Sequence, residues 1–295
     1  METPQNFLGI PREFDDAARS RFAILPVPYE KTTTYAKGTA DGPAALLEAS
    51  RQVELFDEEL EQETWREGIH TAEAFVWEGD HAGMAPALAR RYAELHGQGR
   101  VVAMLGGEHS VTLGPILALK ERYPKLSVLH VDAHGDLRDE YEGTRFGHGC
   151  VMRRVLEHVP IVQVGIRSLS TEEIEVIRRD SRVRTLFAHQ YADGELPVKQ
   201  VVDALSDDVY VSFDLDAFDP SLVPAVGTPE PGGLGWWQAL RLLRETIRRR
   251  RVVGFDVVEL MPIAGQPASD FVAARLVYRT FGYLVAAQRL SAPRR

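Results

Sequence analysis

A chain of 295 residues that is 44% hydrophobic and 26% charged has the makeup of an ordinary globular protein, long enough to bury a large core. Its net charge of −9 argues against nucleic acid or an anionic membrane as a partner, and no apolar run approaches the roughly 18–20 residues needed to span a bilayer. A single cysteine, Cys150, excludes an intrachain disulfide, a thiolate zinc site and an iron–sulfur cluster; the charged start (Glu2, Arg12, Glu13, Asp15, Asp16) lacks an apolar signal segment, so a cytoplasmic location is expected.

In chain order, the apolar run 22–27 reads as a strand and 43–56 and 86–96 as helices. Strand 101–105, helix 113–123, strand 126–131, helix 151–158, strand 161–166 and helix 171–179 follow. Strand 183–187, helix 198–205, strand 209–213, helix 237–250, strand 252–258 and helix 268–287 complete the chain. Several strands are continuous runs of Val, Ile, Leu and Phe, as expected of parallel strands covered on both faces. The alternation predicts a single α/β domain over residues 1–295 with a mainly parallel central sheet. No repeat, linker or low-complexity tract interrupts it, and the basic run 248–251 suits the closing turn of a helix.

Ligands of open parallel sheets gather beyond the carboxyl ends of the strands. There the sequence places Glu108 and His109 after strand 101–105, and Asp132, His134 and Asp136 after strand 126–131. Asp214 and Asp216 follow strand 209–213, and Glu259 follows strand 252–258. At i, i+2 and i+4 on extended backbone, Asp132, His134 and Asp136 share a face, and Asp214 and Asp216 repeat that spacing. Four carboxylates drawn together raise one another's pKa unless cations neutralise them. Two divalent ions would balance the charge, with His109 and His134 completing six ligands. Oxygen and imidazole donors without sulfur favour Mn²⁺, with Fe²⁺, Co²⁺ or Zn²⁺ as alternatives.

Gly106–Gly107–Glu108–His109–Ser110, Asp132–Ala133–His134–Gly135–Asp136 and the segment 212–220 (Ser-Phe-Asp-Leu-Asp-Ala-Phe-Asp-Pro) resemble the signatures of the ureohydrolase family, which includes arginases and agmatinases. The resemblance extends to residues 227–233 and 255–262, and to Val27–Pro28 and Gly42–Pro43, so it covers nearly the whole chain. It implies a three-layer αβα sandwich, two Mn²⁺ ions per subunit and a homotrimer or homohexamer. It also implies one ion on His109 and Asp136, the other on His134 and Asp216, and Asp132 and Asp214 bridging both. The reaction implied is attack of activated water on a guanidinium carbon to give urea and an amine. Asp136 would orient the nucleophile, His148 would carry the proton to the departing amine, and Glu259 would pair with the guanidinium.

Other residues near these motifs invite plainer readings. Glu108 is expected to orient His109, His130 to pack beneath the site, Asp219 to fix the turn before Pro220, and Cys150 to fill space. The loop 227–233, with two prolines and three glycines, is expected to form a lip of the pocket. Trp236 and Trp237 are expected to pack at a helix start, and Arg167 to be structural or to contact another subunit. The acids Asp139, Glu140 and Glu142 after the first Asp cluster suit a substrate whose far end is an amine, although Arg138 and Arg145 lie beside them. Agmatine giving putrescine is therefore the first expectation, with N1-aminopropylagmatine giving spermidine second, then arginine or guanidinobutyrate. A binuclear metallophosphoesterase would need more imidazoles than His148, His158 and His189 after Asp136 provide. A non-catalytic homologue would be expected to lack a ligand.

Overall fold

The computed structural model describes residues 5–192 and 194–291; Glu2 lies outside them. Eight strands, β1 (Phe22–Val27), β2 (Ile69–Thr71), β3 (Val101–Gly106), β4 (Leu126–Val131), β5 (Ile161–Ile166), β6 (Val183–Phe187), β7 (Asp208–Asp214) and β8 (Arg251–Val258), form one sheet. Their order is β2-β1-β3-β8-β7-β4-β5-β6, and each neighbouring pair runs parallel, so the sheet is parallel throughout rather than mainly so.

Alternate residues along each strand face opposite sides, as the two-residue period of a strand requires. Phe22, Ile24, Ala103, Leu105, Val211 and Phe213 pack on one side. They meet apolar residues of α1 (Gly42–Ser50), α6 (Val198–Ala204), α7 (Trp236–Arg249) and α8 (Ala268–Ser291). Ala23, Leu25, Val102, Met104, Val128 and Tyr210 face the other way. There α2 (His81–His96), α3 (Leu113–Leu119) and α4 (Val151–Leu156) cover them, with α5 (Thr171–Arg179) at the edge. The result is the three-layer αβα sandwich. Burial on both faces explains why these strands read as unbroken apolar runs instead of alternating ones.

Three differences from the sequence reading have local causes. β2 was not expected: it is a three-residue edge strand, and two of its residues, His70 and Thr71, are half-buried and polar. α2 begins at His81 rather than residue 86, because the Asp80 carboxylate caps it by accepting from Gly83 N at 2.8 Å and Pro86 is accommodated inside the helix. α1 stops at Ser50, short of the expected 56, where the chain turns and the Ser50 hydroxyl instead accepts from Leu8 N. Among the described residues no helix is long and apolar enough to cross a membrane.

Candidate metal centre

β3, β8, β7 and β4 are consecutive in the sheet, so the four strands that end in acids and imidazoles form its middle. Tight backbone packing brings their ends together. A side chain on Gly107 would sit 2.3 Å from Tyr29 O, and one on Gly165 2.7 Å from Asp132 O, so only glycine lets these segments approach. Asp136 (φ 54°) and Glu259 (φ 66°) both adopt left-handed backbone, a local cost of the kind that accumulates at functional sites.

His109, Asp132, Asp136, Asp214 and Asp216 are all buried, and His134 is partly so. His109 Nδ1 lies 3.1 Å from Asp132 Oδ2, 3.2 Å from Asp136 Oδ2 and 3.2 Å from Asp214 Oδ2. His134 Nδ1 lies 2.8 Å from Asp216 Oδ2 and 3.6 Å from Asp132 Oδ1. Backbone amides fix the other carboxylate oxygens: His134 N donates to Asp132 Oδ1 at 2.6 Å, Asp216 N to Asp214 Oδ1 at 2.8 Å, and Ala133 N to Asp216 Oδ1 at 3.0 Å. Asp214 and Asp216 thus each keep one oxygen for a central ligand.

The electrostatics show what the cluster lacks. Burial, reinforced by their neighbouring carboxylates, pushes Asp214 and Asp216 above the ordinary carboxylate range. Burial works against charge on His134, yet Asp216 and Asp132 push its pKa up to about 12. Asp132 is held low despite its burial by the imidazoles of His130, His109 and His134. The buried carboxylates therefore depend on adjacent positive charge, which divalent cations bound to neutral imidazoles would supply in place of protons.

The tautomer of His109 tests whether cations fit. The Asp256 carboxylate accepts from Tyr210 Oη and Thr112 Oγ1, each at 2.9 Å, from Ser212 Oγ at 2.9 Å and from Phe213 N at 3.3 Å. With its proton committed to Asp256, Ser212 Oγ accepts from His109 Nε2–H at 2.8 Å. In the neutral ring His109 Nδ1 then carries a lone pair. It is buried without a hydrogen-bond donor and is aimed at three carboxylates, an arrangement that is repulsive unless a cation lies between them. Two groups, His109 with His130, Asp132 and Asp136, and His134 with Asp132 and Asp216, hold donor atoms within 4.8 Å of one another, and Asp214 joins the first through its 3.2 Å approach to His109. The six residues therefore fit two hard or borderline divalent ions. His130 also lies close, but Gln163 Nε2 donates to its Nδ1 at 3.1 Å, so His130 Nε2–H donates to Asp132 at 2.7 Å; it orients a ligand and is not one itself.

A cavity of about 230 Å³ opens from these residues toward solvent. Glu259 lines it and accepts from His109 N at 2.6 Å; burial pushes its carboxyl up to about 8. His148 lines it from the turn before α4. Thr33, Thr34, Tyr35, Arg138, Tyr141, Glu173 and Thr228 line the remainder. Gly227 and Thr228 give the loop 227–233 its place at the rim. Arg167 fastens that loop, donating to the carbonyls of Glu230 and Pro231 while also holding those of Asp216 and Phe218. Asp219 closes the turn by accepting from Ser221 and from Gly232 N, which lowers it to about 2. The Cys150 thiol is buried and pushed up to about 11.

Some expectations need correction. Asp139, Glu140 and Glu142 do not line the cavity: Asp139 is held by Arg145 and Arg154, and the other two point to solvent. An acid that does line the cavity is Glu173 of α5, which sequence reading missed; it is buried, caps that helix through Ser170 and lies 3.9 Å from Arg138. Trp236 packs on Phe218 as expected, with ring centroids 6.2 Å apart, but Trp237 is 63% exposed. The hydroxyls of Ser212 and Thr32 and the carboxylate of Asp256 were also missed. Of these only Asp256, an acid inside an apolar strand, left a visible mark in the sequence.

The model of the Arginase family matches residues 20–282. An N(1)-aminopropylagmatine ureohydrolase from Synechocystis sp. is 36% identical across 98% of this chain and 99% of its own. Another, from Thermus thermophilus, is 41% identical across 89% of this chain and 90% of its own. Among solved structures, the agmatine ureohydrolase of Thermoplasma volcanium superposes with a TM-score of 0.88 at 26% identity, covering 99% of this chain and 98% of that one.

Proposed function

The chain belongs to the arginase family of guanidino hydrolases, and from that membership we propose a binuclear manganese ureohydrolase that acts on an amine-ended guanidino compound. The observation that carries the proposal is the close group of four carboxylates and two imidazoles against the cavity, with Glu259 beside it.

His109 and Asp136 would hold one ion, His134 and Asp216 the other, and Asp132 and Asp214 both. When bound, such ions supply a nucleophile near neutral pH by lowering the pKa of water. The chain does the remaining work. The Glu259 carboxylate, anchored on His109 N at 2.6 Å, pairs with the guanidinium and sets its carbon against the cluster. Asp136, held in left-handed backbone, offers an oxygen that orients the nucleophile's proton. His148 gives a proton to the departing amine as the carbon–nitrogen bond breaks. The balance is a guanidinium plus water giving urea plus an ammonium product.

For the substrate, the cavity is lined away from the cluster by both Glu173 and Arg138, 3.9 Å apart, so its charge alone selects neither a cationic nor an anionic far end, and the choice rests on the relatives. The two N(1)-aminopropylagmatine ureohydrolases among its relatives favour N1-aminopropylagmatine, which would yield spermidine. Agmatine, yielding putrescine, is the second reading, favoured by the name of the structural neighbour from Thermoplasma volcanium. Polyamine synthesis in the cytoplasm and assembly as a homotrimer or homohexamer belong to the same proposal; the assembly rests on the family resemblance alone. Urea release from N1-aminopropylagmatine, agmatine, arginine and 4-guanidinobutyrate by the Mn²⁺-loaded protein is the test. Preference for either amine-ended compound supports the reading, preference for arginine or 4-guanidinobutyrate overturns the choice of substrate, and no urea from any of them overturns the proposal.

A further inference from the structure

Glu108 is fully buried beside the metal-binding strand ends, yet it contributes nothing to the cluster. Four donors converge on it: Lys31 N and Thr32 N reach Oε2, each at 2.6 Å, while Thr32 Oγ1, at 2.6 Å, and Ser110 Oγ reach Oε1. A carboxylate surrounded in this way accepts only. The single hydroxyl proton of Thr32 is therefore committed to Glu108, and the hydroxyl oxygen is left with lone pairs alone.

Those lone pairs meet His148 twice. His148 N donates to Thr32 Oγ1 at 3.1 Å, and His148 Nδ1 lies 3.3 Å from the same oxygen. Because that oxygen has no proton to give, the ring nitrogen must be the donor. Gly147 leaves the space: a side chain there would come within 3.2 Å of Thr32 Oγ1.

We propose that Thr32, held by Glu108, is a positioning residue that fixes the tautomer and orientation of His148, keeping Nδ1 protonated and making Nε2 the only ring atom that exchanges a proton in the cavity. The inference rests on the shuttle role given to His148 above. In the reaction, the imidazolium passes its Nε2 proton to the departing nitrogen as the electron pair of the breaking carbon–nitrogen bond moves onto that nitrogen. The neutral ring left behind is the Nδ1–H form, already hydrogen-bonded to Thr32, so no ring flip separates one turnover from the next.

Thr32→Val keeps the shape and the backbone amide bonded to Glu108 while deleting the hydroxyl; Thr32→Ser restores it. We expect Thr32→Val to lower kcat about 10- to 100-fold, part of what a positioned proton-transfer group supplies, with KM within about threefold. Bound metal should be unchanged, and Thr32→Ser should recover kcat to within about threefold of wild type. Independently, ¹⁵N-histidine spectra of the Zn²⁺-exchanged protein, assigned with His148→Asn, should show His148 Nδ1 as the protonated nitrogen in wild type and lose that preference in Thr32→Val. Wild-type kcat in Thr32→Val, no rescue by serine, or a protonated Nε2 in the wild-type spectrum would overturn the proposal. Wild-type turnover in His148→Asn would instead remove the shuttle role itself, a different failure.

Discussion

Replacing Ser212 by alanine removes one hydroxyl and touches none of the six ligands, yet it should weaken the metal centre. Ser212 Oγ relays between Asp256 and His109 Nε2, and all three residues are buried with at most 1% exposure, so water cannot take its place. Without the hydroxyl, His109 Nε2–H has no acceptor, and the Nδ1–H tautomer, which cannot bind a cation, becomes competitive. Loss of an outer-shell partner of this type costs about 10- to 100-fold in metal affinity, or roughly 1.4–2.7 kcal/mol. The unsatisfied buried donor itself costs about 1–3 kcal/mol of fold stability. Calorimetric titration of the metal-free protein with Mn²⁺ is the assay. One of two binding events should weaken in Ser212→Ala, that of the ion on His109, while Ser212→Thr keeps most of the affinity. Wild-type affinity at both sites in the alanine variant would refute the tautomer argument.

Three further outcomes follow from the same geometry. Chelating the metals should abolish urea release and lower Tm, since ions at about 100 times their Kd contribute roughly 2.7 kcal/mol to stability; an unchanged Tm would mean that the buried carboxylates need no cation. Glu140→Gln and Glu142→Gln, on side chains that point to solvent, should leave KM for an amine-ended substrate within about twofold, and a larger rise would return that loop to the binding site. His96, buried beside Tyr92 and Tyr123, has its pKa lowered from 6.5 to about 4 by burial and by Arg122, so the fold favours its neutral form. Its contribution is complete above about pH 6.5 and is lost as pH falls toward about 4. Between pH 7.5 and 5 the wild type should lose more stability than His96→Phe, and equal losses would show that His96 does not titrate in this way.

How much of this was legible in the sequence depended on how local each signal is. Strands buried on both faces are apolar runs, so β1, β4 and β5 were bounded to the residue, whereas the short, polar edge strand β2 left no such trace. The Asp-x-His-x-Asp and Asp-x-Asp spacings carried the ligands, but not by strand alternation: β4 ends at Val131, Asp136 is left-handed and Asp216 lies in a 3-10 turn, so the side chains converge through turns at the strand ends. That β3, β8, β7 and β4 lie side by side is a property of the whole topology, and no segment announces it. Hydroxyl relays were illegible for a related reason. Thr32 acts on His148, 116 positions away, and Ser212 on His109, 103 positions away, and serine and threonine are too common to stand out. The acidic loop misled because its composition suggested an amine site, while folding gave Asp139 two arginines and turned Glu140 and Glu142 outward. Glu173, which caps α5 through Ser170, drew no attention in the sequence because an acid in the first turn of a helix is commonplace.

The central claim is that the buried cluster is a two-ion centre on which hydrolysis depends. Adding Mn²⁺ stepwise to metal-free protein, with bound metal per chain and urea release from N1-aminopropylagmatine or agmatine measured at each step, tests it most directly. Activity should appear with bound metal and level off at two ions per chain, and Asp132→Ala should neither retain metal nor release urea. Full activity at one ion or none, or in Asp132→Ala, would contradict it.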